Sequence, residues 1–324
     1  MADGGVEHGG DAEMRVSAGE ILAIEPVGED RFIGGAGGVN HIGTVFGGRL
    51  AAQALLSAAR TVEAMPPTSL HGYFLAPAQI SLPIEYRVER LRDSRRFAHR
   101  QVTAVQEGRA VFTLLCQFHA PEDGFVHQAA AMPDVPPPEE VPTLQQFVRD
   151  NGDRLDFAAI RNFSGALPIE MRAIAPEAYF YERPREPERA FWFRLPGAAT
   201  IDDPREQACL LAYASDYWLA GVSATPHGFP TNSSSLLISS LDHSLWFHRP
   251  VRCDEGLLHH THSPAAGDGL GFAQGRIFDR RGGWWRLLRR NACCANCGRT
   301  RSKGRRSGHG VHGYPAGPGD RIDR

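Results

Sequence analysis

Apolar and polar positions along the chain fall into two similar cycles. In the first, Arg49 to Ala64 places Leu50, Ala51, Ala54, Leu55, Ala58, Ala59 and Val62 at helical spacing, which predicts a buried helix. Most of those residues are small, so the helix can nest inside a curved sheet rather than lie on top of one. Ile21 to Pro26 is a short apolar lead-in, and Arg31-Phe-Ile-Gly-Gly35 reads as a short strand. After the helix come four strand segments, Ser69–Leu75, Ile84–Leu91, Phe97–Gln106 and Ala110–His119. Arg92-Asp-Ser-Arg95 is a polar turn and Glu107-Gly-Arg109 a tight hairpin.

The second cycle repeats that order. Arg189 to Leu195 alternates as a strand, Pro196 to Pro204 is a loop, and Arg205 to Leu219 is a helix apolar almost all round through Cys209, Leu210, Leu211, Tyr213 and Ala214. Ser239 to Pro250 then reads as a strand. The repeat leaves marks at single residues: Tyr73-Phe-Leu-Ala-Pro77 answers Trp246-Phe-His-Arg-Pro250, and Phe97-Ala, Val102 and Gly108 answer Phe272-Ala, Ile277 and Gly283 at identical spacing. One long buried helix followed by an antiparallel meander suits an α+β hotdog domain. Two in tandem, with their sheets joined edge to edge, is the expected architecture. The expected limits are a disordered tail over 1–20, a first hotdog over 21–122, a linker over 123–187, a second hotdog over 188–290 and a basic, glycine-rich tail over 291–324. Within the linker, Ala120 to Pro142 is rich in proline and acid, and Leu144 to Asp150 predicts a surface helix.

Composition narrows the function classes. The 324 residues are 42% hydrophobic and 22% charged with a net charge of -2, so nothing in the balance favours nucleic acid or an anionic membrane as partner. No apolar run approaches the roughly 18 residues of a spanning helix, and Met1 to Gly19 has no basic or apolar signal region. Cys116, Cys209 and Cys253 lie far apart, as free thiols of a reducing compartment do. A cytoplasmic location is the expectation.

The candidate chemistry starts from Asp216. An ionisable side chain emerging from so apolar a helix needs a partner or a function, the plainer alternative being a helix cap. Gly34 to Gly48 is glycine-rich but forms no complete dinucleotide fingerprint; Gly47 and Gly48 instead let backbone come close to something at a helix start. His71 and His243 lie in strands, where packed, hydrogen-bonded histidines are the plainer reading. His259-His-Thr-His262 resembles a metal run, but alternation puts His260 and His262 on one face and His259 on the other, so no metal is expected there. A Gly-x-Ser-x-Gly nucleophile elbow is absent from the sequence.

Longer motifs carry a resemblance. Val45-Phe-Gly-Gly48, His71-Gly-Tyr-Phe-Leu-Ala-Pro77, Gln117-Phe-His-Ala-Pro121 with Gly124-Phe125 and His127-Gln128, Ala212-Tyr-Ala-Ser-Asp216 and Leu241-Asp-His-Ser-Leu-Trp-Phe-His-Arg-Pro250 resemble the acyl-CoA thioesterase II family over about residues 20 to 283. The resemblance implies a double hotdog that hydrolyses fatty acyl-CoA without a cofactor and assembles as a homo-oligomer. It implies catalytic roles for Asp216 and Ser240 in holding a water. It also implies contacts to acyl-CoA from Phe46, Gly47, Gly48, His71 and Tyr73. A third catalytic group, a Gln, is expected on the last strand of the second repeat.

That last strand departs from the pattern. After Gly283 the repeat calls for an apolar segment like Ala110 to Phe118, yet the chain runs Trp284-Trp-Arg-Leu-Leu-Arg-Arg-Asn-Ala-Cys-Cys-Ala-Asn-Cys297, and no Gln follows Gln274. The cysteines lack a second pair at zinc spacing. Because Trp has a single codon, Trp284-Trp285 fixes six bases. Reading from the last base of the Gly283 codon can then give Leu-Val-Ala-Ser-Val-Ala-Gln-Glu-Arg-Leu-Leu-Arg, an apolar strand with its Gln codon straddling Arg289 and Arg290. The expectation is a slipped reading frame, and with it a catalytically impaired or purely acyl-CoA-binding form whose inner sheet edge is left unpaired.

Overall fold

The computed structural model describes residues 17–35, 40, 43–155, 167–231, 233, 235–281 and the backbone of 285–295. In chain order the elements are α1 (Ala18–Ile21), β1 (Ile24–Gly28), β2 (Arg31–Gly34), α2 (Gly47–Ala59), β3 (Pro67–Phe74), β4 (Ile84–Asp93), β5 (Phe97–Gln106) and β6 (Arg109–His119). There follow α3 (Leu144–Asn151), β7 (Glu170–Ile174), α4 (Glu177–Phe180), β8 (Glu188–Arg194), α5 (Pro204–Ala214), a 3-10 helix (Ala220–His227), β9 (Leu237–Ser240), β10 (Asp242–Trp246), β11 (Leu257–Gly267), β12 (Leu270–Asp279) and β13 (Trp285–Ala295).

These strands make one continuous antiparallel sheet in the order β1-β2-β4-β5-β6-β3-β10-β13-β12-β11-β8-β7, with β9 also on β13. The order is a palindrome of the two repeats, so the tandem hotdog is present with its two sheets joined edge to edge, at β3 and β10. Tyr73 answers Trp246 in the repeat, and therefore His71, two residues earlier, answers Ser244. The register pairs His71 with Ser244. The join thus sits on the pseudo-twofold axis that the sequence repeat defines. Tight hairpins set the neighbouring registers: Glu107 and Gly108 both have positive φ (49 and 77°), as do Asp268 and Gly269 (52 and 76°), the backbone that two-residue hairpins with the native twist require.

The two long helices fill the concave side. From Gly48 to Ala59 every residue of α2 is buried, and the alanines allow the sheet to close round it. A helix buried on all sides must satisfy its polar side chains internally. Gln53 does so by accepting from the Tyr86 hydroxyl at 2.8 Å and donating to the carbonyls of Ile21 and Ala23 at 3.1 and 3.2 Å. Arg49 donates to the carbonyls of Gly35 and Glu20. In α5, Asp203 caps the Arg205 amide at 2.8 Å, and Gln207 ties the helix to Ala198, Ile201 and Cys253.

Several expectations shift. Residues 1–16 of the expected tail lie outside the described residues, but Ala18–Ile21 is a helix closed by a Ser17/Glu20 capping box, with Ala18 and Ile21 buried. The first long helix stops at Ala59 rather than Ala64, where the Thr61 hydroxyl takes the Ala58 carbonyl at 2.8 Å and Ala64 has a φ of 52°. The second stops at Ala214 rather than Leu219. The segment expected to be linker supplies β7, and its proline-rich part covers the outer face of the second half-sheet: Met132, Val135 and Val141 pack on Trp192, Leu258 and Phe278, and the Trp192 indole donates to the Pro136 carbonyl at 2.8 Å. The sheet edge expected to be unpaired is paired, for the backbone of β13 lies between β12 on one side and β10 and β9 on the other. Residues 296–324 of the basic tail lie outside the described residues.

One core residue sets the acid stability. His259, on β11, is fully buried with its ring 5.1 Å from that of Phe191, and neither ring nitrogen has a partner among the described residues. Burial pushes its pKa down to about 3, from an ordinary 6.5. Between those values the unfolded chain binds a proton that the folded chain refuses, so stability is lost as pH falls through that window. His259→Leu removes this proton uptake. Thermal melts from pH 7.5 down to about 5 are expected to show the variant gaining on the wild type as pH falls; a constant gap would contradict the assignment.

Candidate active site

Asp216 does not stand within a helix. Its α5 ends at Ala214, Ser215 closes it, and Trp218 follows in the left-handed region with a φ of 57°. That turn releases the backbone from the helix and leaves Asp216 just beyond its last residue, 7% exposed. The first turn of α2 lies against it. A Cβ at Gly47 would come within 2.8 Å of Asp216 Oδ2 and 2.9 Å of the Phe74 ring; one at Gly48 would meet the Tyr213 carbonyl oxygen at 2.3 Å and Asp216 Cβ at 3.0 Å. Only glycine permits this approach, which is the close contact expected of Gly47 and Gly48. The helix they open is capped by Phe46, which makes no side-chain hydrogen bond to it. Its first amides therefore face the carboxylate's surroundings at the positive end of the helix dipole.

Aromatic rings wall the carboxylate. Phe46 packs on Tyr213 at 5.2 Å and on Tyr217 at 4.6 Å, and the two tyrosine hydroxyls are 3.1 Å apart. Burial pushes the Tyr213 phenol up to about 12, with the Asp216 charge adding to the rise. Tyr217 is likewise raised well above its ordinary value, by burial first and then by Tyr213 and Asp216. Both phenols therefore stay protonated hydrogen-bond donors at neutral pH.

Beneath Asp216, Ser215 Oγ donates to the Ala212 carbonyl at 2.8 Å and lies 2.8 Å from His243 Nε2. His243 is buried on β10. This Ser215–His243 contact fixes the end of α5 to the central strands. Sequence reasoning placed His243 among packed histidines and overlooked Ser215, although both lie inside the motifs that carried the resemblance.

Ser240 arrives from another element. It is the half-buried last residue of β9, and the expected single strand Ser239–Pro250 breaks after it at Leu241, whose carbonyl accepts from the Phe74 amide at 2.9 Å. Phe74 links the two candidates: its ring borders Gly47 beside Asp216, and its backbone holds the residue next to Ser240. His71 and Tyr73 alternate with Leu70, Gly72 and Phe74 along β3 and so project from the opposite face of the sheet. His71 is half-buried there, with Nδ1 3.1 Å from Ser244 Oγ and its pKa lowered by burial; Tyr73 is exposed. Asp216, Phe46, Gly47 and Gly48 are thus gathered in one place, while His71 and Tyr73 stand apart from it. Of His, Cys, Asp and Glu, no group able to hold a metal ion occurs among the described residues.

Comparisons with known proteins point one way. The N-terminal domain of acyl-CoA thioesterase matches residues 36–119 and its C-terminal domain residues 132–284. The chain is similar to human acyl-coenzyme A thioesterase 8, 35% identical over 273 residues that cover 81% of this chain and 83% of that protein. It is 34% identical over 239 residues to acyl-CoA thioesterase 2 of Haemophilus influenzae, covering 74% and 83%. A crystal structure of an acyl-CoA thioesterase II from Mycobacterium marinum superposes with a TM-score of 0.70 at 31% identity, covering 86% of this chain and 98% of the other.

The two glycines should fail differently. Gly48→Ala drives a methyl group into a backbone carbonyl, so a loss on the order of 1–3 kcal/mol and a lower melting temperature are expected. Gly47→Ala meets a carboxylate oxygen and a ring that can both shift, so its melting temperature should fall less. Melting curves of the two variants side by side check the order.

Proposed function

The chain belongs to the acyl-CoA thioesterase II family, whose reaction is hydrolysis of acyl-CoA to a free fatty acid and CoA, and we propose that the attacking water in this member is held by Asp216 and Ser240. The observation that carries this reading is the buried Asp216 carboxylate set against the uncapped first turn of α2. A thiol leaves readily as thiolate, near a pKa of ~8.5, so direct attack by an activated water suffices without an acyl-enzyme. Asp216 orients the water and accepts its proton. Ser240 shares its hydrogen bonds from the strand side. The opening amides of α2, at Gly47 and Gly48, are placed to polarise the thioester carbonyl, and Phe46, Gly47 and Gly48 border the acyl-CoA. On this reading His71 and Tyr73, on the other face of the central strand β3, do not touch the reacting thioester.

The reaction needs no cofactor on this reading. Cys116, Cys209 and Cys253 are buried free thiols, which supports a reducing, cytoplasmic setting, and none of the described helices is long and apolar enough to cross a membrane. Homo-oligomerisation is supported by apolar side chains left exposed on the central strands, Tyr73 and Leu115 among them. Asp216→Asn keeps the shape and removes the base. Its kcat for a medium-chain acyl-CoA should fall by on the order of 10²–10⁴ with the melting temperature held, and an undiminished kcat would remove Asp216 from the chemistry.

A second reading, a catalytically impaired form, is favoured by where the family match stops. It ends at residue 284, one residue past the point where the internal repeat breaks. The β13 register sets residue 292 opposite Ser240, so residue 290, at the position of the out-of-frame Gln codon, falls two places along on the same face as Ser240. A slipped frame there removes a polar amide from beside the proposed water. The bases around Gly283 decide the matter: a sequence unable to encode that strand in the other frame ends this reading. Where it can, the frame-restored protein is expected to hydrolyse acyl-CoA at least on the order of 10²-fold faster than the chain as it stands.

A further inference from the structure

Arg189 lies in the core of the second half, 4% exposed, on the inner face of β8 with Phe191 and Phe193. Its guanidinium carbon stands 4.8 Å above the centre of the Tyr179 ring, and Nη1 donates to Thr231 Oγ1 at 3.0 Å. Nε and Nη2 have no acceptor among the described residues. Those two nitrogens share one edge of the guanidinium, the edge that binds two coplanar oxygens side by side. A buried cation is expensive to leave uncompensated, and here burial lowers the pKa of Arg189 to about 10. Nearby groups do not compensate it. The Tyr179 hydroxyl donates to the Ala190 carbonyl at 2.8 Å, the neighbouring Glu188 is paired with His260, and Glu186 is exposed.

Further unsatisfied groups surround the same 3-10 helix. Thr225 Oγ1 and Arg185 Nε are buried without partners among the described residues, and the Arg185 amide donates to the Thr225 carbonyl at 3.2 Å. Gly221, one turn earlier, borders Arg189: a Cβ there would lie 3.3 Å from Nη1. We propose that Arg189 is the seat of a binding site for a small carboxylate, of formate or acetate size, whose two oxygens take the Nε and Nη2 protons. A planar, two-oxygen anion fits better than phosphate or sulfate. The aromatic walls, with the Trp218 ring tilted by 46° and centred 4.8 Å from Tyr179, offer nothing to solvate a third or fourth oxygen. The site lies behind the aromatic layer that leads back to Asp216, and it does not depend on the hydrolytic reading.

Binding to the folded chain alone raises its stability with ligand concentration, so the test is thermal unfolding of the full chain at fixed ionic strength in sodium formate, sodium acetate or sodium chloride. Formate is expected to raise the melting temperature by several degrees over chloride and to saturate, with acetate close behind. Arg189→Met should abolish that difference and Arg189→Lys, which keeps the charge but loses the fork, should reduce it. Calorimetric titration of the wild type with formate should give saturable binding near one per chain, a readout that survives if the variants fail to fold. Equal melting temperatures in formate and chloride, or an undiminished formate effect in Arg189→Met, would overturn the proposal. An absence of saturable heat would show that the fork holds water only.

Discussion

Everything at the candidate site depends on how closely α2 and α5 approach. Their ends meet through backbone: the Tyr213 carbonyl and the Asp216 side chain press on two glycines that have no side chain to hold them off. A methyl at Gly48 would push directly on the Tyr213 carbonyl and so force the end of α5 away from α2. The contact couples the two repeats more intimately than the sheet does. The β3–β10 pairing joins them along one line, whereas the helix contact aligns the opening amides of one with the terminal carboxylate of the other. Site geometry is therefore a property of the fused pair, and neither hotdog holds it alone.

Burial at this junction acts differently on each kind of polar group. The phenols of Tyr213 and Tyr217 are kept neutral by it and so remain donors. The imidazole of His259, on β11, is kept neutral with no partner among the described residues, which makes the core sensitive to acid. A carboxylate in the same setting needs positive potential, and the start of α2 beside Asp216 contributes it through the helix dipole. The protein thus spends its large aromatic residues on excluding water around one acid while leaving that acid a polar front.

Much of the fold could be read from residue pattern because the two repeats keep their spacing. The correspondence of Tyr73 with Trp246 is enough to locate the central strand pair, and the buried helices announce themselves through the absence of a polar face. What stayed hidden lies where local pattern and tertiary contact disagree. Arg205 to Leu219 is helical by composition throughout, yet the chain leaves the helix at Ser215, where His243 holds the Ser215 hydroxyl, Asp216 packs on the facing glycines and Trp218 is left-handed. The linker is polar and proline-rich, so nothing in it reveals that Val141 and the Pro136 carbonyl cover Trp192. Arg189 looked like an ordinary strand-end arginine, and its burial follows only from the 3-10 helix folded across it. The separation of His71 and Tyr73 from Asp216 was legible in principle: strand alternation already sets them opposite Phe74.

The closing strand shows that backbone geometry and side-chain chemistry can come apart. A slot between β12 and β10 offers two rows of unpaired amides and carbonyls, and pairing both of them strongly favours any extended segment that can reach. Trp285 to Ala295 has the length, and its backbone takes the place. Nothing in that pairing depends on Arg289 or Arg290 being there rather than apolar residues and an amide. A sheet can therefore be closed without specifying the side chains of its closing strand, because ladder hydrogen bonds are blind to the side chains that chemistry requires.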